Sequence, residues 1–301
     1  MGRIGVPFFL FLTGFLLLDR HYDETRIIRF LRFKWRGLII ATASWIVIYN
    51  LFLRFYMNQH MNIGQVLKGI LFVQPVILPH IWYMPMIIGV YAFLPFMANA
   101  LHLLKKIKVL YVPIFIISLY AFIVPMINEI CRVLGKGILA NGIDFGFSGG
   151  VYGIYIIIGF LLKREAFQRI QVRYLVIGCL LTFILTIVLQ TWAFYYGKVL
   201  DPWYNWGTIL LYSLCIFEFI SRIHTTLWSQ HWISIVAKYS FAMYLTHYPL
   251  LMILKPVLQK LCPLFPINVV ILWCWGVIGS LIVSICIAKI PYIGRKIIYI
   301  R

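Results

Sequence analysis

The sequence predicts an all-α fold, a polytopic membrane helix bundle of about nine transmembrane helices. Composition is the first reason. Of 301 residues, 63% are hydrophobic and only 12% are charged, whereas soluble domains run roughly 45–50% apolar and 25% charged. The mean hydropathy is +0.93. The second reason is recurrence: apolar runs of the length that crosses a hydrocarbon core of about 30 Å follow one another along the chain. The third is that the basic residues cluster between those runs.

The runs can be placed in order. The first, 4–18, extends only about 22 Å at 1.5 Å per residue and ends at the basic stretch that begins with Arg20. The second, 37–53, follows Arg26, Arg29, Arg32, Lys34 and Arg36. The third, 81–101, opens after Pro79 and His80 and closes before Lys105, Lys106 and Lys108; the fourth, 109–127, runs from there to the polar stretch containing Glu129 and Arg132. Lys163 and Arg164 end the fifth, 147–162, and the sixth, 172–195, carries Arg173 at its start. The seventh, 205–221, stops at Arg222; the eighth, 239–258, starts after Lys238; the ninth, 268–288, stops at Lys289. Runs of this length without strict alternation are helices rather than barrel strands. The whole chain, 1–301, reads as a single transmembrane domain with no soluble domain.

Charge gives direction. The chain has 27 Lys and Arg against 8 Asp and Glu. Taking alternate loops together, 19 basic residues fall on one side and 7 on the other, with Arg3 ahead of the first run. By the positive-inside rule the richer side is cytoplasmic, which puts the C-terminus inside and Met1 outside. The same arrangement accounts for the basic excess without nucleic acid, which is not an expected partner. A signal peptide over the first run is an alternative, although no small-residue cleavage site follows it. Six cysteines, Cys131, Cys179, Cys215, Cys262, Cys274 and Cys286, contain no C-x-x-C pair. Neither a metal site nor a disulfide framework is expected.

Few residues in these runs could carry chemistry. His247 lies near the middle of the eighth span, and an ionisable group in hydrocarbon is a functional candidate. The competing reading is a neutral imidazole bonded to a neighbouring helix. Glu218, four residues before Arg222, fits a local ion pair at a helix end, with a proton relay as the alternative. His80, Trp82 and Tyr83 stand where a span begins, as a surface for a sugar ring or an acyl group or as part of an interfacial aromatic belt. Glu129, Asp144 and Asp201 are acids in the other set of loops, where a carboxylate pair would suit glycoside hydrolysis, but no spacing follows from separate loops. There is no Walker-type glycine loop, H-E-x-x-H or G-x-S-x-G.

Four stretches taken together resemble the acyltransferase 3 family of integral membrane acyltransferases. They are RIGVPFFLFLTGFLL (3–17), HIWYMPMIIGVYAFLPF (80–96), GGVYGIYIIIGFLLKRE (149–165) and VAKYSFAMYLTHYPLLMIL (236–254). The first looks like the family's Arg followed by V-P-x-F-F and a Ser-Gly pair, with Thr13 in place of the serine. The last looks like its S-F-x-x-Y-L-x-H-x-P helix end. The resemblance implies an enzyme transferring acyl groups other than amino-acyl groups, most often O-acetyl groups, to cell-surface carbohydrate, similar to the bacterial O-acetyltransferases of enterobacterial common antigen. It also implies ten spans, a bacterial cytoplasmic (inner) membrane location, and a base supplied by an Arg-x10-His motif on the first helix. No residue of this chain matches that motif. The expectation is therefore either a native start further upstream or a form lacking that base.

On this resemblance, His247 is expected to act in a supporting catalytic role. Arg3, His80, Trp82, Tyr83 and Tyr244 are expected to meet the acceptor, and Arg29, Arg32, Lys34 and Arg36 the anionic acyl-CoA. No cofactor is expected to be bound, since acetyl-CoA or another acyl-CoA is a co-substrate. The expected partners are acyl-CoA, a surface glycan or lipid-linked oligosaccharide, and membrane lipids. The alternatives are an exporter of surface polysaccharide or a non-catalytic family member.

Overall fold

A computed structural model describes residues 2–74, 78–139, 150–223, 227–261 and 265–300. Among the described residues there are helices and no strands. We label the helices α1 (Gly5–Leu18), α2 (Glu24–Met57), α3 (Ile63–Ile70), α4 (Tyr83–His102), α5 (Ile107–Val133), α6 (Val151–Lys163), α7 (Val172–Tyr195), α8 (Gly207–Ser221), α9 (Leu227–Leu261), α10 (Phe265–Ala288) and α11 (Gly294–Ile297). Six of these contain stretches long and apolar enough to cross a bilayer, and α1, α6 and α8 are shorter apolar helices of roughly 20–22 Å. Together they occupy the nine predicted positions. The protein is a polytopic helical membrane protein.

Three differences from the sequence reading have local causes. The basic stretch before the second span is helical from Glu24, because Arg and Lys are good helix formers and Glu24 sits favourably in the first turn. Helix α9 begins well before residue 239 and continues through Pro249 and Pro256. Helix α3, between the second and third apolar runs, is started by the Asn62 side chain, which accepts from the Gly64 N–H at 2.8 Å.

The contacts divide the chain into two compact units, Met1–Asp23 with Phe93–His224 and Glu24–Ala92 with Thr225–Arg301, so the chain changes unit inside α4. In the first unit, α1 and α6 meet backbone to backbone. A Cβ on Gly14 would overlap the Ile156 carbonyl oxygen, and one on Gly159 would overlap that of Phe11. Close approach of this kind drives helix association in lipid, where burial of apolar surface contributes little. Around the crossing Leu10, Phe11, Leu18, Tyr155 and Ile156 are fully or almost fully buried. The Phe11 ring meets those of Tyr155 and Phe217 edge-on at 5.3 and 5.5 Å. The expected local pair between Glu218 and Arg222 is present, with Nε 2.8 Å from the carboxylate. Arg222 also donates to the Ile170 and Phe167 carbonyls, so the pair pins the α6–α7 connection. The apolar window of α5 is only 6% buried, which leaves its surface for lipid.

In the second unit α9 packs on α10 through a seam of small polar residues. The buried Thr246 hydroxyl lies 3.3 Å from both the Ser280 carbonyl and the Ser284 hydroxyl. Trp35 and Trp45 donate their indole N–H groups to the Ile88 and Ile297 carbonyls at 3.0 and 2.9 Å, which ties α2 to α4 and α11.

Gly14→Ala and Gly159→Ala should each lower stability by about 1–3 kcal/mol through overpacking. Gly153→Ala, where nothing lies within 4 Å of the added carbon, is the control. Thermal unfolding in detergent checks this, and equal midpoints for all three variants would contradict the backbone crossing.

Candidate functional site

The second unit brings two histidines and four tyrosines together. Tyr244, His247 and Tyr248 fall on one side of α9 because positions three and four apart share a helix face. Tyr49 comes from α2. His80 comes from the turn ahead of α4, which is closed by the Ile81 N–H on the Leu78 carbonyl at 3.1 Å. The His80 ring stacks on Tyr248 at 4.6 Å and lies 5.2 Å from His247, 5.4 Å from Tyr49 and 5.7 Å from Tyr244. Tyr83 meets Tyr244 edge-on at 5.8 Å.

The hydrogen bonds fix where the protons are. Pro249 has no N–H and cannot close the helical bond to the Leu245 carbonyl four residues back. That carbonyl takes the Tyr49 hydroxyl proton instead. With its proton committed, the Tyr49 oxygen can only accept from His80 Nε2, 3.0 Å away. A neutral His80 therefore carries its proton on Nε2 and its lone pair on Nδ1, a buried atom with no hydrogen-bond partner. The Tyr244 hydroxyl donates to the His80 carbonyl and holds the turn in place. His247 Nδ1 lies 2.7 Å from the Tyr244 carbonyl and 3.3 Å from that of Met243. A carbonyl only accepts, so Nδ1 carries the proton and the lone pair is on Nε2. The bonding partner is the histidine's own helix, not the neighbouring helix of the competing reading.

His80 precedes the α4 span. Burial, reinforced by the nearby His247, lowers its imidazole from the ordinary 6.5 to about 3. Across the neutral range it is a lone-pair acceptor and not a cation.

The other predicted residues are distributed differently. Trp82 meets Tyr83 edge-on at 6.2 Å and lines a cavity of about 410 Å³ with Phe72, Gln74, Leu78, Pro79 and Pro85. Arg3 belongs to the first unit, where it pairs with Asp201 at 2.6 Å, donates to the Pro202 carbonyl at 3.2 Å and covers the Trp203 ring at 4.2 Å. Glu129 is bound to Arg132 at 3.0 Å. Two of the three acids considered for glycoside hydrolysis are thus held in ion pairs, and Asp144 lies outside the described residues. Arg29, Arg32 and Arg36 are exposed and Lys34 is half-buried; Arg32 and Lys34 fall in a stretch of α2, Leu31–Trp35, that widens to i→i+5 turns. Such widenings recur at functional sites.

Sequence reasoning missed Tyr49 and Tyr248. The available signal was Pro249, which marks Leu245 as a carbonyl in need of a donor. Among the described residues no group of three or more His, Cys, Asp or Glu side chains could hold a metal ion.

A family model described as Acyl_transf_3, acyltransferase domain, matches residues 1–289. No curated protein and no solved structure matches the chain.

Two outcomes are expected. Tyr49→Phe leaves the Leu245 carbonyl without a partner and should cost about 1–3 kcal/mol; an unchanged unfolding midpoint in detergent would contradict that bond. The second concerns pH. The unfolded His80 takes up a proton near pH 6.5 whereas the folded one does so only near 3. Its contribution to stability is therefore whole above pH 6.5 and declines as pH falls towards 3. The unfolding midpoint should fall more steeply over that window for the wild type than for His80→Gln. Equal slopes would remove His80 as the source.

Proposed function

The chain belongs to the acyltransferase 3 family, and we propose that within it the protein moves an acyl group, acetyl in the simplest case, from acyl-CoA to a hydroxyl of a cell-surface carbohydrate or lipid-linked glycan. The observation that carries this reading is the pair of neutral imidazoles whose tautomers leave lone pairs on His80 Nδ1 and His247 Nε2. Two acceptors of hydrogen bonds suit a hydroxyl substrate.

The chemistry follows from that polarity. The acceptor oxygen attacks the thioester carbonyl, a C–O bond forms, the C–S bond breaks, and the hydroxyl proton ends on the CoA sulfur. His247 Nε2 supports this step by accepting the hydroxyl proton's hydrogen bond and passing the proton on, which is general-base assistance. Tyr83 and Tyr244 wall the site, and the Trp82 cavity supplies an aromatic face for a sugar ring. Arg3, with the Asp201–Trp203 segment it holds, offers a separate acceptor contact within the first unit. Arg29, Arg32, Lys34 and Arg36 attract the anionic donor. We place the protein in a bacterial inner membrane with the basic loops and the C-terminus in the cytoplasm.

Membranes carrying the protein should transfer label from acetyl-CoA to glycan. His247→Ala, correctly inserted, should lower kcat roughly 10- to 100-fold, the effect of one lost hydrogen bond at the reacting group, with little change in KM for the donor. Full transfer by that variant would remove His247 from the mechanism. Glycan whose acetate content does not depend on the wild-type protein would favour export instead. Separately, Arg29→Gln with Arg32→Gln should raise KM for acyl-CoA and leave kcat nearly unchanged; an unchanged KM would return these residues to the orientation signal alone.

A further inference from the structure

Four cations of the second unit, Lys238, Lys289, Arg295 and Lys296, line one open cavity of about 580 Å³ together with Tyr239 and Tyr292. The cavity is built rather than incidental. Gly294 lets the chain double back directly on the end of α10, since a Cβ there would overlap the Ile287 carbonyl oxygen. The returning segment is then fixed from two sides and closed by a bond of its own. The Trp45 indole donates to the Ile297 carbonyl at 2.9 Å, the Tyr299 ring meets Phe241 edge-on at 5.3 Å, and the Ile300 N–H bonds the Arg295 carbonyl at 2.8 Å. Arg295 and Lys296 are thereby held beside Lys289 and opposite Lys238.

Among the described residues no carboxylate side chain lines this cavity. The unit as a whole has 14 of the chain's 27 basic residues and one of its eight acids, Glu24. Membrane orientation asks only that basic residues lie in the right loops. It does not ask that four of them face one space, where their mutual repulsion is relieved by an anion.

We propose that this cavity binds an organic phosphate, and that its occupant is the phosphorylated nucleotide end of the acyl-CoA donor. The inference rests on the acyltransfer reading and extends the donor site beyond α2. Two observations favour a nucleotide over a lipid headgroup. Tyr292 is 92% exposed at the rim, so its ring is open for stacking on a purine. Helix α9 also leads from this cavity to the histidine pair: Tyr239 and His247 are eight residues apart, about 12 Å along the axis, a distance that an extended pantetheine arm spans. The exposed patch on α2 adjoins the same turn, because Gly37 lies against the Tyr299 ring.

The test is binding of labelled CoA, with adenosine 3′,5′-bisphosphate as competitor, to the protein in nanodiscs of zwitterionic lipid. Lys289→Gln, Arg295→Gln and Lys296→Gln combined should weaken CoA binding at least roughly tenfold, as expected for lost charged hydrogen bonds. The charge-preserving combination Lys289→Arg, Arg295→Lys and Lys296→Arg should retain it, as should Lys255→Gln with Lys260→Gln, which do not line the cavity. If the triple Gln variant binds CoA like the wild type but loses retention of phosphatidylglycerol from mixed-lipid nanodiscs, the nucleotide assignment is overturned in favour of a lipid phosphate. Wild-type behaviour in both assays, or no CoA binding by the wild type, overturns the proposal. Binding needs no turnover, so a wild type that binds CoA yet acylates no glycan would refute the acyltransfer reading alone.

Discussion

A single missing N–H organises the histidine cluster. Pro249 leaves the Leu245 carbonyl without its helical donor, and a buried carbonyl without a partner costs about 1–3 kcal/mol. The Tyr49 hydroxyl satisfies it, which commits the one proton Tyr49 has to give. Everything downstream follows from that commitment. The Tyr49 oxygen becomes an acceptor, His80 must present Nε2–H to it, and the His80 lone pair is left on Nδ1. A proline in α9 thus sets the protonation pattern of a histidine in the turn before α4, through a tyrosine in α2. The proline in the S-F-x-x-Y-L-x-H-x-P stretch is usefully read as part of the site's hydrogen-bond logic rather than as a helix breaker.

His247 reaches the same kind of state by a different route, since its Nδ1–H is held by carbonyls of its own helix. In a serine-protease triad the equivalent N–H points at a carboxylate that stabilises the imidazolium. Here it points at neutral carbonyls, and the one acid of the unit is Glu24 on α2. An imidazolium formed at His247 would be held, among the described residues, by these two carbonyls. On the acyltransfer reading this is tolerable because the leaving group is a thiolate, whose conjugate thiol has a pKa near 8.5. The sulfur can accept the proton soon after it leaves the hydroxyl. A site that must hold a cation only briefly has little need of a buried anion.

How much of this could be read from the chain alone depended on sequence separation. The nine apolar runs were legible because span length and hydropathy are local properties. Glu218 with Arg222 was legible for the same reason, as an i,i+4 pair. The helical course of Glu24–Arg36 was hidden because charged helix formers and a cytoplasmic loop have the same composition. The bonds that build the site join distant residues: Tyr49 with Leu245 across 196 positions, and Tyr244 with His80 across 164. Pro249 announced a carbonyl in need of a donor, yet nothing in one sequence could name Tyr49 as the group that supplies it. The partners of Arg3, Asp201 and Trp203, were hidden for the same reason, since they lie about two hundred positions away in the chain.

The basic residues of the second unit show why orientation and ligand binding need not compete as explanations. Positive loops must be placed on one side to set topology, and the unit supplies a single acid of its own beside 14 basic residues. Such a surface attracts phosphates of any origin, so charge alone cannot single out a site. Backbone geometry can. Where Gly294 folds the chain against α10, Arg295 and Lys296 join Lys289 and Lys238 around one space. The exposed residues on α2, by contrast, lie along a helix surface. A cleft for the phosphates, with a helical patch that draws them in, uses residues that topology already requires.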